Sequence, residues 1–468
     1  MRPRPEFPVY ALLTVVVLWS GALAAADARL SNERLARELL TELVAIDTSP
    51  SGPGGTVLAA RAMADRLRAA GFPSDDVQVL GPTTADGNLV ARFRSAAPVA
   101  PPILLLAHID VVAAVPSDWA TNPFRLVEKD GYWYGRGTRD IKDGAAALVA
   151  NFIRLRAEGF RPSRDLIVLL SANEETTGDS VKWLLREHRP LVDAAFALNT
   201  DAGRVDLVNG RAKVLAAETA EKTYASFTFE ARSPSGHSSR PLADNSIYQL
   251  ARALQRVAAY RFPRDLNETT RSYFREWTAL APPDLQPGAR AIGAGRLDDP
   301  AVATLEQSPY LNALLRTTCV ATQVSGGIAE NVLPERASAV INCRILPQSS
   351  PAVVEATLRA LAAPELVAVT PVAPADTGPP SPLDPVVLGP ALDLARELWP
   401  GVQLLPEMGL GASDGIYFRA AGIPVYGVGA VPEDPDEDTS HAANERIRIA
   451  AFNESLEYWY RLVKRLAM

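Results

Sequence analysis

From residue 30 to about residue 209, short apolar runs alternate with segments whose apolar residues recur at helical spacing. Residues 30–46 and 56–70 read as helices, the second stopping at Gly71. Residues 88–94 and 102–108 read as strands, and 103–106 is apolar on both faces, as a buried strand requires. A helix over 145–158, a strand over 165–171, a helix over 179–187 and a strand over 194–199 continue the pattern. Strands alternating with helices predict an α/β fold, an open mixed sheet flanked by helices.

From about residue 211 the character changes. Residues 225–231 alternate like a half-exposed strand, 247–259 and 351–362 are helical, and 316–324, 337–346 and 365–372 are strand-like. Two helices on one antiparallel sheet make a small α+β domain. Residues 262–309, rich in Pro, Gly and charge, read as an insertion in it. Breakers at Gly378, Pro379, Pro380 and Pro382 mark a linker, after which the α/β pattern resumes and ends in a long helix over 446–465. The division expected is a leader at 1–26, a first core part at 27–210, an inserted domain at 211–375 and a second core part at 376–468.

The leader follows from Arg2 and Arg4, an apolar run over 10–19 and small residues over 21–26, the order of a secretory signal peptide. Export, periplasmic or secreted, is expected, with an uncut membrane anchor as the other reading. Export permits a disulfide between Cys319 and Cys343, which stand in strand-like runs; two buried free thiols fit equally well. A net charge of −7 leaves no basic footprint for nucleic acid.

The chemistry-bearing residues gather at strand ends. His108 and Asp110 end one strand, and alternation puts them on one face. Asp140 lies in the glycine-turn segment GRGTRD ahead of a helix, where a carboxylate can offer one oxygen to each of two cations; Asp143, nearer the helix, fits a cap. Glu174 and Glu175 end another strand, Asp201 the next, and His441 precedes the terminal helix. Adjacent carboxylates there are costly unless solvated or paired with a cation. His188 reads as a helix C-terminal cap. In open α/β sheets the carboxyl edge of the strands is where sites form. Mixed imidazole and carboxylate ligands suit zinc, and paired metals favour hydrolysis. Ser235-Gly236-His237 lacks the G-x-S-x-G elbow of a serine hydrolase.

LLLAHIDVV, the W-x(3)-PF pattern of Trp119 and Phe124, DGYWYGRGTRDIKDG, SANEETTG, GHSSRP, GGIAENVLPERASAVINCR and SHAANERI stand in that order over nearly the whole mature chain. With these motifs the chain resembles the dizinc exopeptidases and deacylases, among them glutamate carboxypeptidase, aminoacylase, succinyl-diaminopimelate desuccinylase and, most closely over 108–144, yeast carboxypeptidase S. The resemblance implies a zinc exopeptidase-like catalytic domain with an inserted lid and dimerisation domain. It implies two Zn2+ (or Co2+ or Mn2+) bridged by Asp140, with His108 and Asp201 on one and Glu175 and His441 on the other. Glu174 would be the general base, taking a proton from water, and Asp110 would support His108. His237 would polarise the scissile carbonyl, reaching across a homodimer. Asn331 and Arg344 would hold the substrate carboxylate, and Gly411 and Ser413 would line the cleft. The sequence departs from the usual D-x-K-G pattern, since Asp143 separates Lys142 from Gly144. The expected activity is cleavage of an amide beside a free carboxylate in a small peptide or N-acyl amino acid. A related dizinc aminopeptidase and a non-catalytic binding protein are the alternatives; the second predicts a missing ligand or base, and every position is filled.

Overall fold

A computed structural model describes residues 10–468; the basic start expected for the leader, within 1–9, lies outside the described residues. The chain divides into two compact units. One holds residues up to 101, 105–180 and 431–468; the other holds 102–104 and 181–430. Among the described residues, no helix is long and apolar enough to cross a membrane.

In the first unit the strands Val77–Leu80, Asn88–Phe93, Leu166–Ser171 and Ile103–His108 lie side by side in that order. Adjacent strands among the first three run antiparallel, with Leu89 opposite Leu170. Ile103–His108 and Leu166–Ser171 are buried along their whole length, which explains their unbroken apolar runs. The helices Tyr10–Ala45, Thr56–Ala69, Lys142–Ala157 and Ile449–Leu466 cover the sheet. Their shared core includes Leu39, Leu67, Phe152 and Trp459. At about 25 cal/mol per Å2 of apolar area, each such side chain stabilises the packing by ~1.5–3 kcal/mol.

The helix expected from residue 145 begins earlier, at Lys142. Its N-cap is Ile141, with no side-chain cap bond, so Asp143 is not the cap. Lys142 and Asp143 are instead buried. The Lys142 ammonium donates to the carbonyls of Leu43 and Ile46, both at 2.9 Å. That tie reaches a helix end distant in sequence, which local cap signals cannot report.

In the second unit Phe196–Asn199, Val425–Gly427, Arg211–Glu221 and Arg204–Val208 are neighbours in that order. Gln403–Gly409 runs parallel to Arg211–Glu221. The strand at 211–221, inside the span expected for the lid, therefore belongs to this sheet. The lid sheet proper is antiparallel, in the order Thr318–Gly326, Arg336–Ile345, Thr223–Arg232, Ala368–Pro371. Phe227, Phe229, Ile341, Leu250 and Leu358 form its core, which brings in the helices Ser246–Ala259 and Pro351–Ala362. Cys319 and Cys343 face each other across its first two strands and form a disulfide.

The expected insertion at 262–309 also differs from its sequence reading. Helices Glu268–Trp277, Gln286–Gly293, Val302–Leu305 and Pro309–Leu315 fill it. Phe274, Ile292, Leu305 and Leu314 pack with Val214, Ala216, Leu405 and Met408 rather than on the lid sheet. Its Pro and Gly residues punctuate these short helices.

Candidate metal centre

His108 ends a fully buried strand and is itself 2% exposed. Its Nε2 lies 3.0 Å from Asp140 Oδ1. The other Asp140 oxygen, Oδ2, lies 3.1 Å from His441 Nε2. One carboxylate thus offers one oxygen to each of two imidazoles. His441 Nε2 also lies 2.9 Å from Glu175 Oε2. Ligand atoms of Asp140, Glu175 and His441 all fall within 4.8 Å of one another.

The charges in this cluster depend on one another. Burial works to raise the Asp140 pKa, but hydrogen bonds from His108 and His441 prevail and hold it well below the carboxylate range. Bonds to Asp140 and Glu175 raise the His441 pKa to about 10. Two carboxylates converging on one point need a cation there, and a protonated His441 meets that need in the chain alone. A divalent metal would meet it better, leaving both imidazoles neutral as ligands. The donor set of imidazole nitrogen and carboxylate oxygen fits zinc.

Asp110 sits against His108. His108 Nδ1 is 3.0 Å from the Asp110 backbone oxygen and 3.5 Å from its carboxylate. The carboxylate accepts instead from the backbone N–H groups of Glu174, at 3.1 Å, and Glu175, at 3.0 Å. Asp110 therefore supports His108 through its main chain and fixes the Glu174–Glu175 turn with its side chain. Glu174 Oε2 lies 4.0 Å from His108 Nε2, at the edge of the cluster.

The loop that presents Asp140 is held by a residue the sequence reading did not single out. Glu445 is fully buried. Its Oε1 accepts from the N–H groups of Arg139 and Asp140, at 2.7 and 3.0 Å. Its Oε2 accepts from Gly137 N–H at 2.9 Å and from the Arg136 guanidinium at 2.7 Å. Arg136 also donates to the His441 carbonyl at 3.3 Å. Gly137 has φ +84°, and a Cβ there would meet Lys142 and Val111 within 3.0 Å, so only glycine suits this turn. His441 and Asn444 take positive φ values of 62° and 61° on the facing loop. Burial raises the Glu445 pKa, and the donors from Gly137, Arg139 and Arg136 oppose it. Glu445 stands inside SHAANERI, four places past His441, but nothing in that segment marks it as buried.

The remaining candidates lie in the second unit. Asp201 follows the buried strand Phe196–Asn199, and its N–H donates to the Asn199 side chain at 3.1 Å. His237 is exposed, and its Nδ1 accepts from Ser239 N–H at 3.1 Å. Asn331 is exposed and its carbonyl accepts from Ser238 N–H at 3.0 Å. Arg344 lies over the Tyr224 ring, 4.8 Å from its centroid. Gly411 is exposed, whereas Ser413 is buried and donates through both its N–H and its hydroxyl to Glu221, at 2.9 and 2.8 Å. His188 follows the helix Asp179–Glu187 and packs on Trp183, with ring centroids 4.5 Å apart.

Residues 104–465 match the profile of peptidase family M20/M25/M40. The chain is 28% identical over 372 residues to an N-fatty-acyl-amino acid synthase/hydrolase of Homo sapiens, covering 78% of this chain and 74% of that protein. It is 24% identical over 391 residues to a probable carboxypeptidase S-like protein of Dictyostelium discoideum, covering 81% and 74%. Among solved structures it is similar to an M20 family metallo-carboxypeptidase from Sulfolobus solfataricus, with a TM-score of 0.71, 17% identity and coverage of 92% and 99%. Its fold is that of this metallo-carboxypeptidase, a mixed sheet flanked by helices. With its profile matched over most of its length, the chain belongs to peptidase family M20/M25/M40 and is a metallopeptidase or amidohydrolase.

Proposed function

We propose that this chain is a two-zinc hydrolase that cleaves the amide bond beside a free carboxylate, as a carboxypeptidase or N-acyl-amino-acid hydrolase. The observation that carries the reading is Asp140, whose two oxygens address two different imidazoles at 3.0 and 3.1 Å. In this reading Asp140 would help hold both metals, with His108 and Asp201 for one and Glu175 and His441 for the other. Zinc bound there would supply Lewis acidity and lower the pKa of water.

The chain's own residues do the rest. Glu174 takes a proton from water and delivers it to the leaving nitrogen. The Asp110 carboxylate keeps Glu174 and Glu175 diverging by gripping both their N–H groups. Arg344 and Asn331 hold the substrate carboxylate, the guanidinium by a paired bond. Gly411 and Ser413 line the cleft, and His237 polarises the scissile carbonyl from the lid of a second copy. The names of the human and Dictyostelium relatives support an N-acyl amino acid or peptide substrate. The basic, apolar and small-residue order of residues 1–26 supports export.

The test is elemental analysis of the purified chain, paired with a dipeptide and N-acyl-amino-acid panel before and after chelation. About two zinc per chain and chelator-sensitive release of the C-terminal amino acid are expected. Glu174→Ala should keep the zinc and lose about 100-fold or more in turnover. No metal and no turnover after zinc is restored would overturn the reading.

A further inference from the structure

In the lid sheet, Ala225, Phe227 and Phe229 of one strand and Ile341, Cys343 and Ile345 of its neighbour belong to the core that the two helices cover. Strand alternation sends Tyr224, Ser226, Asn342 and Arg344 to the opposite face. Lys222, two places before Tyr224, continues that row. Tyr224 stands opposite Arg344 in the register, which makes Lys222 a diagonal neighbour of Arg344, a separation of about 7–8 Å that long side chains reach across. We propose that Lys222 is a positioning residue of the carboxylate subsite, where it adds a second positive charge to that of Arg344 without touching the substrate. The inference rests on the reading above in which Arg344 holds the substrate carboxylate, and it adds to that reading a residue and a pH dependence.

Two cations meet here without an anion. Lys222 is fully buried, its N–H donates to the Gly409 carbonyl at 3.0 Å, and its ammonium donates to the Arg316 carbonyl at 2.7 Å. Arg344 is half-buried and rests on the Tyr224 ring. That ring is held in turn, since Asn342 Nδ2 donates to Ser226 Oγ at 3.1 Å and Ser226 Oγ to the Tyr224 hydroxyl at 3.4 Å. Among the described residues, no carboxylate pairs with Lys222 or Arg344. Acids on the surrounding elements are committed elsewhere. Glu221 serves Ser413 and Arg419, which Glu218 shares. Glu407 serves Arg204 and Tyr310, and Glu306 serves Arg264 and Arg316. A buried charge without a counter-ion is costly, and a second charge of like sign adds to the cost. A carboxylate held by Arg344 removes it.

The ammonium is not a constant charge. Burial first, and the Arg344 charge second, lower the Lys222 pKa to about 7. A carboxylate beside it favours the charged form, so substrate binding draws a proton onto Lys222. The added preference for a carboxylate is therefore full below a pH of about 7 and is lost as pH rises through that value. Arg344 keeps its charge throughout, so a smaller, pH-independent preference remains.

The experiment uses the full zinc-loaded chain with N-acetyl-Leu and Ala-Leu, each as the free acid and as the C-terminal amide, from about pH 6 to about pH 8.5. The ratio of kcat/KM for acid over amide cancels the ionisations of the catalytic groups, which both forms share. That ratio should fall about three- to tenfold across the range, through a rise in KM for the acid. Lys222→Met should hold the ratio at its low, high-pH value throughout, with zinc content unchanged. Lys222→Arg, charged at every pH, should hold it high. A ratio independent of pH in the unaltered chain, which needs no variant, or the parent's slope in Lys222→Met, would overturn the role of Lys222. No preference for the acid at any pH, or a preference that survives Arg344→Ala, would instead sink the carboxylate reading of Arg344, and the inference with it. Failure to turn over either substrate with two zinc bound would sink the hydrolase reading before both.

Discussion

Glu445 in the first unit and Glu221 in the second are both buried carboxylates that hold a loop carrying candidate site residues. Glu445 grips the Arg136–Asp140 segment through three backbone N–H groups and one guanidinium. Glu221 grips Ser413 through N–H and hydroxyl and pairs with the buried Arg419. The two differ in their neighbours. Glu445 has one cation, Arg136, and donors on both oxygens. Glu221 shares Arg419 with a second, half-buried acid, Glu218, whose Oε1 is itself shielded and has no hydrogen-bond partner. Burial first, and the nearby Glu221 charge second, push the Glu218 pKa well above its ordinary value. One cation cannot neutralise two carboxylates in a dry interior, so one of them keeps its proton. A buried glutamate is thus a fixed clamp or a proton-dependent one, according to its count of donors.

Removing the fixed clamp should have the largest effect. Glu445→Ala leaves Arg136 buried and unpaired and orphans three N–H groups, a cost of about 3–5 kcal/mol. Because those N–H groups orient Asp140, zinc retention against a competing chelator should fall by about 10–100-fold. Glu445→Gln, which keeps the shape but turns a donor toward N–H groups, should fall between. Easier denaturant unfolding with normal zinc retention would reduce Glu445 to a purely structural role.

Arg419→Met should come next. It leaves two acids without their cation, but each can take a proton, so the expected cost is about 2–4 kcal/mol. Zinc content should stay near normal while KM rises, because Glu221, which holds Ser413, loses the cation that fixes it. A parallel loss of zinc would show that the two clamps are not independent.

The smallest effect is the pH dependence of the second clamp. The raised pKa of Glu218 favours its protonated form in the folded chain over the unfolded one, where it ionises above about pH 4.5, its ordinary value. Its contribution is therefore full below that pH and is lost as pH rises toward the folded value. Glu218→Gln removes the dependence. Between pH 6 and pH 8 the variant's melting temperature should fall less than that of the parent chain, by about 2–4 °C. Identical slopes would place the proton elsewhere.

Much of the site was legible because strand ends concentrate it. A histidine or adjacent acids after apolar runs, at 108, 174 and 175, and polar groups in the turns ahead of helices, at 140 and 441, are costly unless solvated or paired, and the structure brings those five together. Glu445 and Glu221 were less visible. Each is one acid among 54, and nothing local tells a clamp from a solvated surface residue. Asp143 was misread as a cap because its spacing to the helix is right, while its burial comes from packing.

The fold divides along the same line. Periodicity and breakers determined which segments are strands and helices, since burial of one face or both writes itself into the order of residues. Partnership was decided by tertiary structure alone. Residues 211–221 have a strand's pattern in either domain, and only pairing with 403–409 assigns them to the α/β sheet. The helices over 268–315 likewise joined Leu405 and Met408 rather than the lid. Cys319 and Cys343 fit thiols or a bridge until the register set them opposite each other. Apolar surface is non-directional, so a sequence can specify that a face must be buried without specifying against what.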